Sequence, residues 1–271
     1  MQFYHLAVNR KSAEAHIHLG YCYLVGAGGV EVDKATSAAY FKAASLELHD
    51  ADAQFFLANA YDKGLFGEED IQGINDEILM MLFNASAAHG NLYALHRLGL
   101  IYWDGEFGVE KNEKKALKLL QKAVKEGHQE AQLDLGTAYR LGLAGVKDPD
   151  KAVELFRKNA IDGEQGMPMA FFLLGSMYAK GEGVEKDTNE AARLYEKAMS
   201  LGVEEANLAF ADLHSKGEAT MGMTEEMINF YYVFIATLSN GEWLGIRDRD
   251  ALKVFDAHQV SFINLDIFNH T

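Results

Sequence analysis

Residues 170–198 read AFFLLGSMYAKGEGVEKDTNEAARLYEKA, and the first nine of them decide the fold because they keep returning. The underlying string is Ala-x3-Leu-Gly-x2-Tyr, here Ala170, Leu174, Gly175 and Tyr178. It recurs as Ala15, Leu19, Gly20, Tyr23, as Ala94, Leu98, Gly99, Tyr102, and as Ala131, Leu135, Gly136, Tyr139. A copy with Ala for Gly reads Ala53, Leu57, Ala58, Tyr61, and a worn sixth reads Ala206, Phe210, Ala211, His214. Successive alanines are 38, 41, 37, 39 and 36 residues apart, a period that predicts a stack of repeated units.

On a helix at 100° per residue the four residues fall within one sector of about 140°, which predicts a packed stripe. A second helix per unit is predicted from apolar residues at i, i+3, i+4, i+7 spacing. It reads Ala38, Tyr40, Phe41, Ala43, Ala44, then Ala116, Leu119, Leu120, Ala123. Later copies are Ala152, Leu155, Phe156, Ala160, then Ala191, Leu194, Tyr195, Ala198. Gly26, Gly64, Gly105, Gly142, Gly181 and Gly217 each follow the Tyr or His by three residues and suit a left-handed helix end. Gly90, Gly127, Gly163, Gly202 and Gly241 stand where the second helices stop. Four units carry Gly-Val in the connecting loop: Val30, Val109, Val146 and Val184. Each Val is expected to plug the gap between its two helices. Asp187-x-x-Glu190 is a capping-box pattern, and Asp148-Pro149 places Pro at a first helical position.

The whole unit resembles the Sel1-like repeat, a relative of the tetratricopeptide repeat, with 170–198 as the fullest match and residues 13–241 as the span covered. The resemblance implies an all-α fold: an α/α right-handed superhelical solenoid of about six helix-turn-helix units. The expected layout is a solenoid over 1–241 and a C-terminal capping helix and tail over 242–271. The resemblance also implies an adaptor that holds another macromolecule on a concave wall lined by the first helices.

Charge narrows the partner. Forty acidic against 25 basic residues give a formal net charge of −15. That disfavours nucleic acid and anionic membrane surfaces, whose binding depends on Lys and Arg neutralising phosphate. A protein or peptide partner is expected, with a basic one as the sharper version. The apolar run 230–238 is too short to span a bilayer. Cys22 stands alone, so no disulfide framework is expected, and no basic-then-apolar leader opens the chain. The expected location is the cytoplasm.

Catalytic signals are sparse. The chain has no Gly-x4-Gly-Lys-Ser/Thr loop, no His-Glu-x2-His helix and no Ser-x2-Lys pair. Gly26-Ala-Gly-Gly and Gly181-Glu-Gly183 resemble phosphate loops but follow helices. His16 and His18 diverge on a helix, and His89 and His96 fall in different helices. No histidine cluster with a carboxylate is expected, and no metal or cofactor. A non-catalytic interaction protein is therefore the first expectation. An immunity-type inhibitor that neutralises a toxin is one alternative. A hydrolase of cell-wall or β-lactam material is another, suggested only by cysteine-rich relatives that this chain does not match.

The candidate binding residues are those that escape the packed stripe on each first helix. Three after the Ala stand His18, Phe56, Arg97, Asp134, Leu173 and Ala209. Six after it stand Tyr21, Asn59, Leu100, Thr137, Ser176 and Asp212, and ten after it Val25, Lys63, Asp104, Leu141, Lys180 and Lys216. Within this set the expected contact residues are His18, Tyr21, Phe56, Asn59, Lys63, Arg97, Leu100, Asp104, Asp134, Thr137, Ser176, Lys180 and Asp212. Aromatics and Arg are typical anchors. Two departures add to the list. The enlarged loop 65–77 carries five acidic residues, and the aromatic segment 227–236 leads into the expected cap.

Overall fold

A computed structural model describes residues 12–67, 73–163 and 166–216. The opening residues, the middle of the acidic loop, the aromatic segment 227–236 and the expected cap over 242–271 lie outside the described residues. Among the described residues the chain is entirely helical. The order is α1 Ala13–Val25, α2 Lys34–Lys42 with a π-helical extension Ala43–Glu47, α3 Ala51–Asp62, α4 Asp76–Ala88, α5 Leu92–Asp104 and α6 Glu113–Lys125. It continues with α7 Gln129–Leu141, a 3-10 turn Leu143–Gly145, α8 Pro149–Asn159, α9 Pro168–Lys180, α10 Thr188–Ser200 and α11 Glu205–Ser215. The chain divides into two compact units, Met1–Ala131 and Gln132–Thr271.

Each signature helix packs on the helix that follows it: α1 on α2, α3 on α4, α5 on α6 and α9 on α10. The signature Gly explains how. A methyl group added at Gly20, Gly99, Gly136 or Gly175 would meet Phe41, Leu120, Phe156 or Tyr195 at 3.1, 2.9, 2.6 or 2.8 Å. The Gly is therefore a slot, and one large residue of the second helix fills it. That residue always stands eight after the N-cap: Phe41 after Asp33, Leu120 after Asn112, Phe156 after Asp148, Tyr195 after Asp187. Phe83 holds the same place after Asn75. Phe41, Phe83 and Phe156 are among the largest fully buried side chains, and burying each contributes about 1.5–3 kcal/mol.

One hydrogen bond sets the length of the loop. The N–H of the N-cap residue donates to the carbonyl of the signature Tyr: Asp33 to Tyr23 (2.9 Å), Asn112 to Tyr102 (2.7 Å), Asp148 to Tyr139 (3.0 Å) and Asp187 to Tyr178 (3.1 Å). The same N-cap side chains accept from the first turn of their helices. At Asp33 the bonds from the Thr36 N–H and hydroxyl hold the carboxyl below its ordinary range. The second unit lacks this strap: Asn75 makes no bond to the Tyr61 carbonyl, which accepts the N–H of Gly64 at 2.8 Å. Its loop is pinned by Phe66, buried beside Phe41 at 6.4 Å between ring centres.

Gly26, Gly105 and Gly181 end their helices in the left-handed conformation, as the spacing predicts. Three local expectations need correction. None of Val30, Val109, Val146 and Val184 is a buried plug, since Val146 is exposed and the others only half-buried. Over the terminal Gly lies the residue five or six further on: Val32 over Gly26, Lys111 over Gly105, Lys147 over Gly142, Lys186 over Gly181. The capping box is half realised, because the Tyr178 carbonyl already takes the Asp187 N–H, and Glu190 pairs with Arg193 at 2.7 Å instead. The signature Tyr is less buried than its stripe position predicts. Only Tyr139 is buried, while Tyr23, Tyr61, Tyr102 and Tyr178 keep an edge exposed. The hydroxyls of Tyr102 and Tyr178 reach Lys115 and Arg157 at 2.6 Å each.

Candidate functional site

In residues 12–131 a row of rings runs between the buried Phe41 and His128, with Phe56 and Tyr93 at the surface. Phe41 faces Phe56 at 6.2 Å, Phe56 neighbours Phe55 at 5.9 Å, and Phe55 meets Tyr93 at 5.6 Å. Tyr93 stands edge-on to His128 at 4.9 Å, and His128 lies 4.7 Å from His96. Phe56 and Tyr93 remain 40% and 56% exposed, so the row has an accessible edge. Tyr21 and His18 are exposed on α1, where His18 lies 3.9 Å from Glu14. Lys63 and Asp104 are exposed, and Asn59 and Leu100 are half-buried.

Arg97 is committed to its own chain. Its Nε and one Nη donate to both oxygens of Asp62 at 2.7 and 3.0 Å, and the same Nη reaches Glu106 at 2.5 Å. Burial pulls the guanidinium pKa down, but the bonds to Asp62 and Glu106 outweigh it and the net shift is upward. Arg97 therefore ties α3 to the end of α5 and its loop, a structural use of an expected contact residue.

His96, His128 and Glu130 place one ligand atom each within 4.8 Å of one another. This corrects the expectation that no histidines converge with a carboxylate. The sequence hid it because the meeting needs residue 96 of one signature helix beside the start of the next. The donor chemistry argues for a helix cap rather than a metal. His128 Nδ1 accepts the Ala131 N–H at 3.1 Å at the start of α7, which leaves the ring proton on Nε2. A neutral imidazole in that tautomer has no lone pair left for a cation.

In residues 132–216 the outward residues converge on a cavity of about 520 Å³. Ser176 and Lys180 of α9 and Asp212 and Lys216 at the end of α11 line it, with Phe172, Tyr195 and Lys186. Three expected contact residues, Ser176, Lys180 and Asp212, thus come together from two consecutive units. Asp134 and Thr137 are half-buried on α7. Lys216 Nζ pairs with Asp212 at 2.6 Å, and Arg140 Nη1 reaches Ser176 Oγ at 3.4 Å. Phe172 and Tyr195 pack 5.7 Å apart as the apolar wall. Burial pushes the Tyr195 hydroxyl up to about 12, against the opposing pulls of its Ser176 hydrogen bond and Arg140, so it is a hydrogen-bond donor across ordinary pH.

Phe172, Lys186 and Tyr195 were not among the expected contact residues. Tyr195 had a readable signal: it adds a hydroxyl where the other units place Phe41, Phe83, Leu120 and Phe156. Lys186 is held by Gly181, against which its Cβ lies at 3.2 Å from where a methyl would stand.

The family pattern described as Sel1 repeat matches residues 13–47, 51–72, 92–128, 129–160 and 168–203. Chitin synthase regulator SKT5 of Saccharomyces cerevisiae is 27% identical over 199 residues, 71% of this chain and 28% of that protein. Among solved structures, c5321, a protective antigen of uropathogenic Escherichia coli with an SLR fold, is similar with a TM-score of 0.72 and 27% identity, over 87% of this chain and 48% of that one. A Sel1 repeat protein from Oxalobacter formigenes gives 0.69 and 26%, over 82% and 84%. The chain thus spans under a third of the yeast relative it matches and about half of the E. coli protein. No helix among the described residues is long and apolar enough to cross a membrane.

Proposed function

Since the chain belongs to the Sel1 repeat family, we propose that it is a non-catalytic scaffold that holds a protein or peptide partner on the wall formed by its signature helices, the concave wall of a solenoid. Proteins of this family mediate protein–protein interaction, and the regulator name of the yeast relative is in keeping with such a role. The observation that carries the reading is the convergence of Ser176, Lys180 and Asp212 on one cavity. Residues that the packing does not use gather where a partner could reach them. In residues 12–131 the exposed edges of Phe56 and Tyr93 offer rigid aromatic surface of the kind that anchors interfaces. The net charge of −15 favours polypeptide over nucleic acid as the partner, with a basic surface on that partner adding long-range attraction.

Affinity capture from the native host tests this, using the intact chain and the variants Phe56→Ala and Asp134→Arg. One specific partner retained by the parent and reduced by either variant supports the scaffold. Equal capture by the parent and every wall variant, including those at the cavity, sinks it.

A further inference from the structure

The wall has two chemical characters, and the cavity in residues 172–216 runs against the charge of the chain as a whole. Three ammonium groups, Lys180, Lys186 and Lys216, line it against one carboxylate, Asp212, in a protein with 40 acidic and 25 basic residues. We propose that this cavity binds an acidic peptide segment of the partner, with one apolar side chain against Phe172 and Tyr195 and carboxylates facing the lysine rim. The inference rests on the scaffold reading and narrows it: the basic partner suggested by net charge gives way, at this place, to an acidic segment.

Size, charge and geometry agree. About 520 Å³ lies within the range of ligand pockets and suits one large side chain with its neighbouring backbone. Lysines are flexible point charges, suited to carboxylates spread along a peptide rather than to one planar fork. The Tyr195 and Ser176 hydroxyls, which share a hydrogen bond, sit at the inner wall, where Arg140 also reaches, and the one hydroxyl hydrogen left over can be donated to a peptide carbonyl or carboxylate. A nucleic acid would need many phosphates neutralised and would meet the repulsion of the whole chain, whereas a short acidic segment needs only these few groups. Tyr195 is the specificity element. The same position is Phe in three other units and Leu in a fourth, so its hydroxyl adds nothing to filling the slot beside Gly175.

Fluorescence anisotropy on the full chain tests the assignment, with labelled Glu-Glu-Phe-Glu-Glu as the probe and Lys-Lys-Phe-Lys-Lys as the control. The acidic peptide should bind saturably and the basic one weakly. Lys180→Glu with Lys186→Glu should weaken the acidic probe about tenfold or more, since two rim charges are reversed and not merely removed. Tyr195→Phe, which recreates the Phe156 arrangement, should weaken it less while leaving far-ultraviolet circular dichroism unchanged. Absent binding, binding indifferent to the lysine reversal, or preference for the basic peptide each overturns the proposal. So does light scattering that shows the lysine reversal dissolving a dimer, which would assign the cavity to a second copy. If the lysine-reversed protein still captures its cellular partner while Phe56→Ala does not, the acidic-segment assignment falls and the scaffold reading stands.

Discussion

Phe55 with Phe83 and Phe172 with Tyr195 are the same pair at the same places of the repeat. In each, the first residue stands two after the signature Ala and the second eight after the N-cap. The rings lie 6.3 and 5.7 Å apart. Around Phe55 the outward positions hold Phe56 and Tyr93, and the result is a row of rings with an open edge. Around Phe172 they hold Ser176, Lys180, Asp212 and Lys216, and the result is a cavity with a charged rim. One packing rule therefore carries two surfaces. The repeat fixes where a side chain can point outward, and it leaves the chemistry of that side chain open.

The sharpest way to break this comparison is to empty the two cores. Phe83→Ala and Phe156→Ala should each cost about 3–5 kcal/mol, read from urea unfolding, because both rings are fully buried. A cost confined to one of them would show that the two regions do not share a rule. The Gly slot comes next. Gly136→Ala, whose methyl would sit 2.6 Å from Phe156, should cost about 1–3 kcal/mol from overpacking. Gly20→Ala, at 3.1 Å from Phe41, should cost less, since helix propensity returns about 1 kcal/mol in both cases. Equal losses would mean that the slot is not what makes Gly necessary.

Arg97→Leu should cost about 1–3 kcal/mol, less than a core ring, by leaving Asp62 and Glu106 facing each other in a partly buried place. Its expected effect is on thermal stability, with the aromatic edge unchanged. The smallest effect is confined to high pH. An unfolded Tyr ionises near pH 10, whereas Tyr195 in the fold ionises at about 12. The unfolded chain therefore loses that proton first, and stability should fall as pH rises from 10 through 12. Tyr195→Phe should remove this component of the slope, as seen by comparing unfolding midpoints of the two proteins across that window.

What the sequence made legible was local or periodic. The Ala-x3-Leu-Gly-x2-Tyr string exposes the stripe because its residues contact the next helix of their own unit. Terminal glycines such as Gly26 and Gly181 are legible because a left-handed residue needs no tertiary context. The Gly-Val loop misled because a recurring apolar residue was read as buried, when the strap to the Tyr carbonyl and the stems of Lys111, Lys147 and Lys186 close the loop instead. The capping box misled because a pattern of acceptors does not say that another carbonyl has already taken the donor. For the wall, Ser176, Lys180 and Asp212 were legible as outward positions. Their company was not: Tyr195 belongs to a second helix, and the meeting of His96, His128 and Glu130 depends on how one unit stacks on the next.

The bond from each N-cap N–H to the signature Tyr carbonyl behaves as a ruler. Where it is present, the loop can have only the length that lets both ends meet, and an insertion would have to break it. In the second unit the N-cap Asn75 makes no such bond to Tyr61, whose carbonyl accepts the Gly64 N–H instead, so this ruler does not fix the length of that connection. Lengthening a loop without such a tie costs only about 0.6 kcal/mol per doubling. Within the repeat, the helix-to-helix connection that leaves Tyr61 is therefore the one where an added segment would break no such bond, by evolution or by grafting.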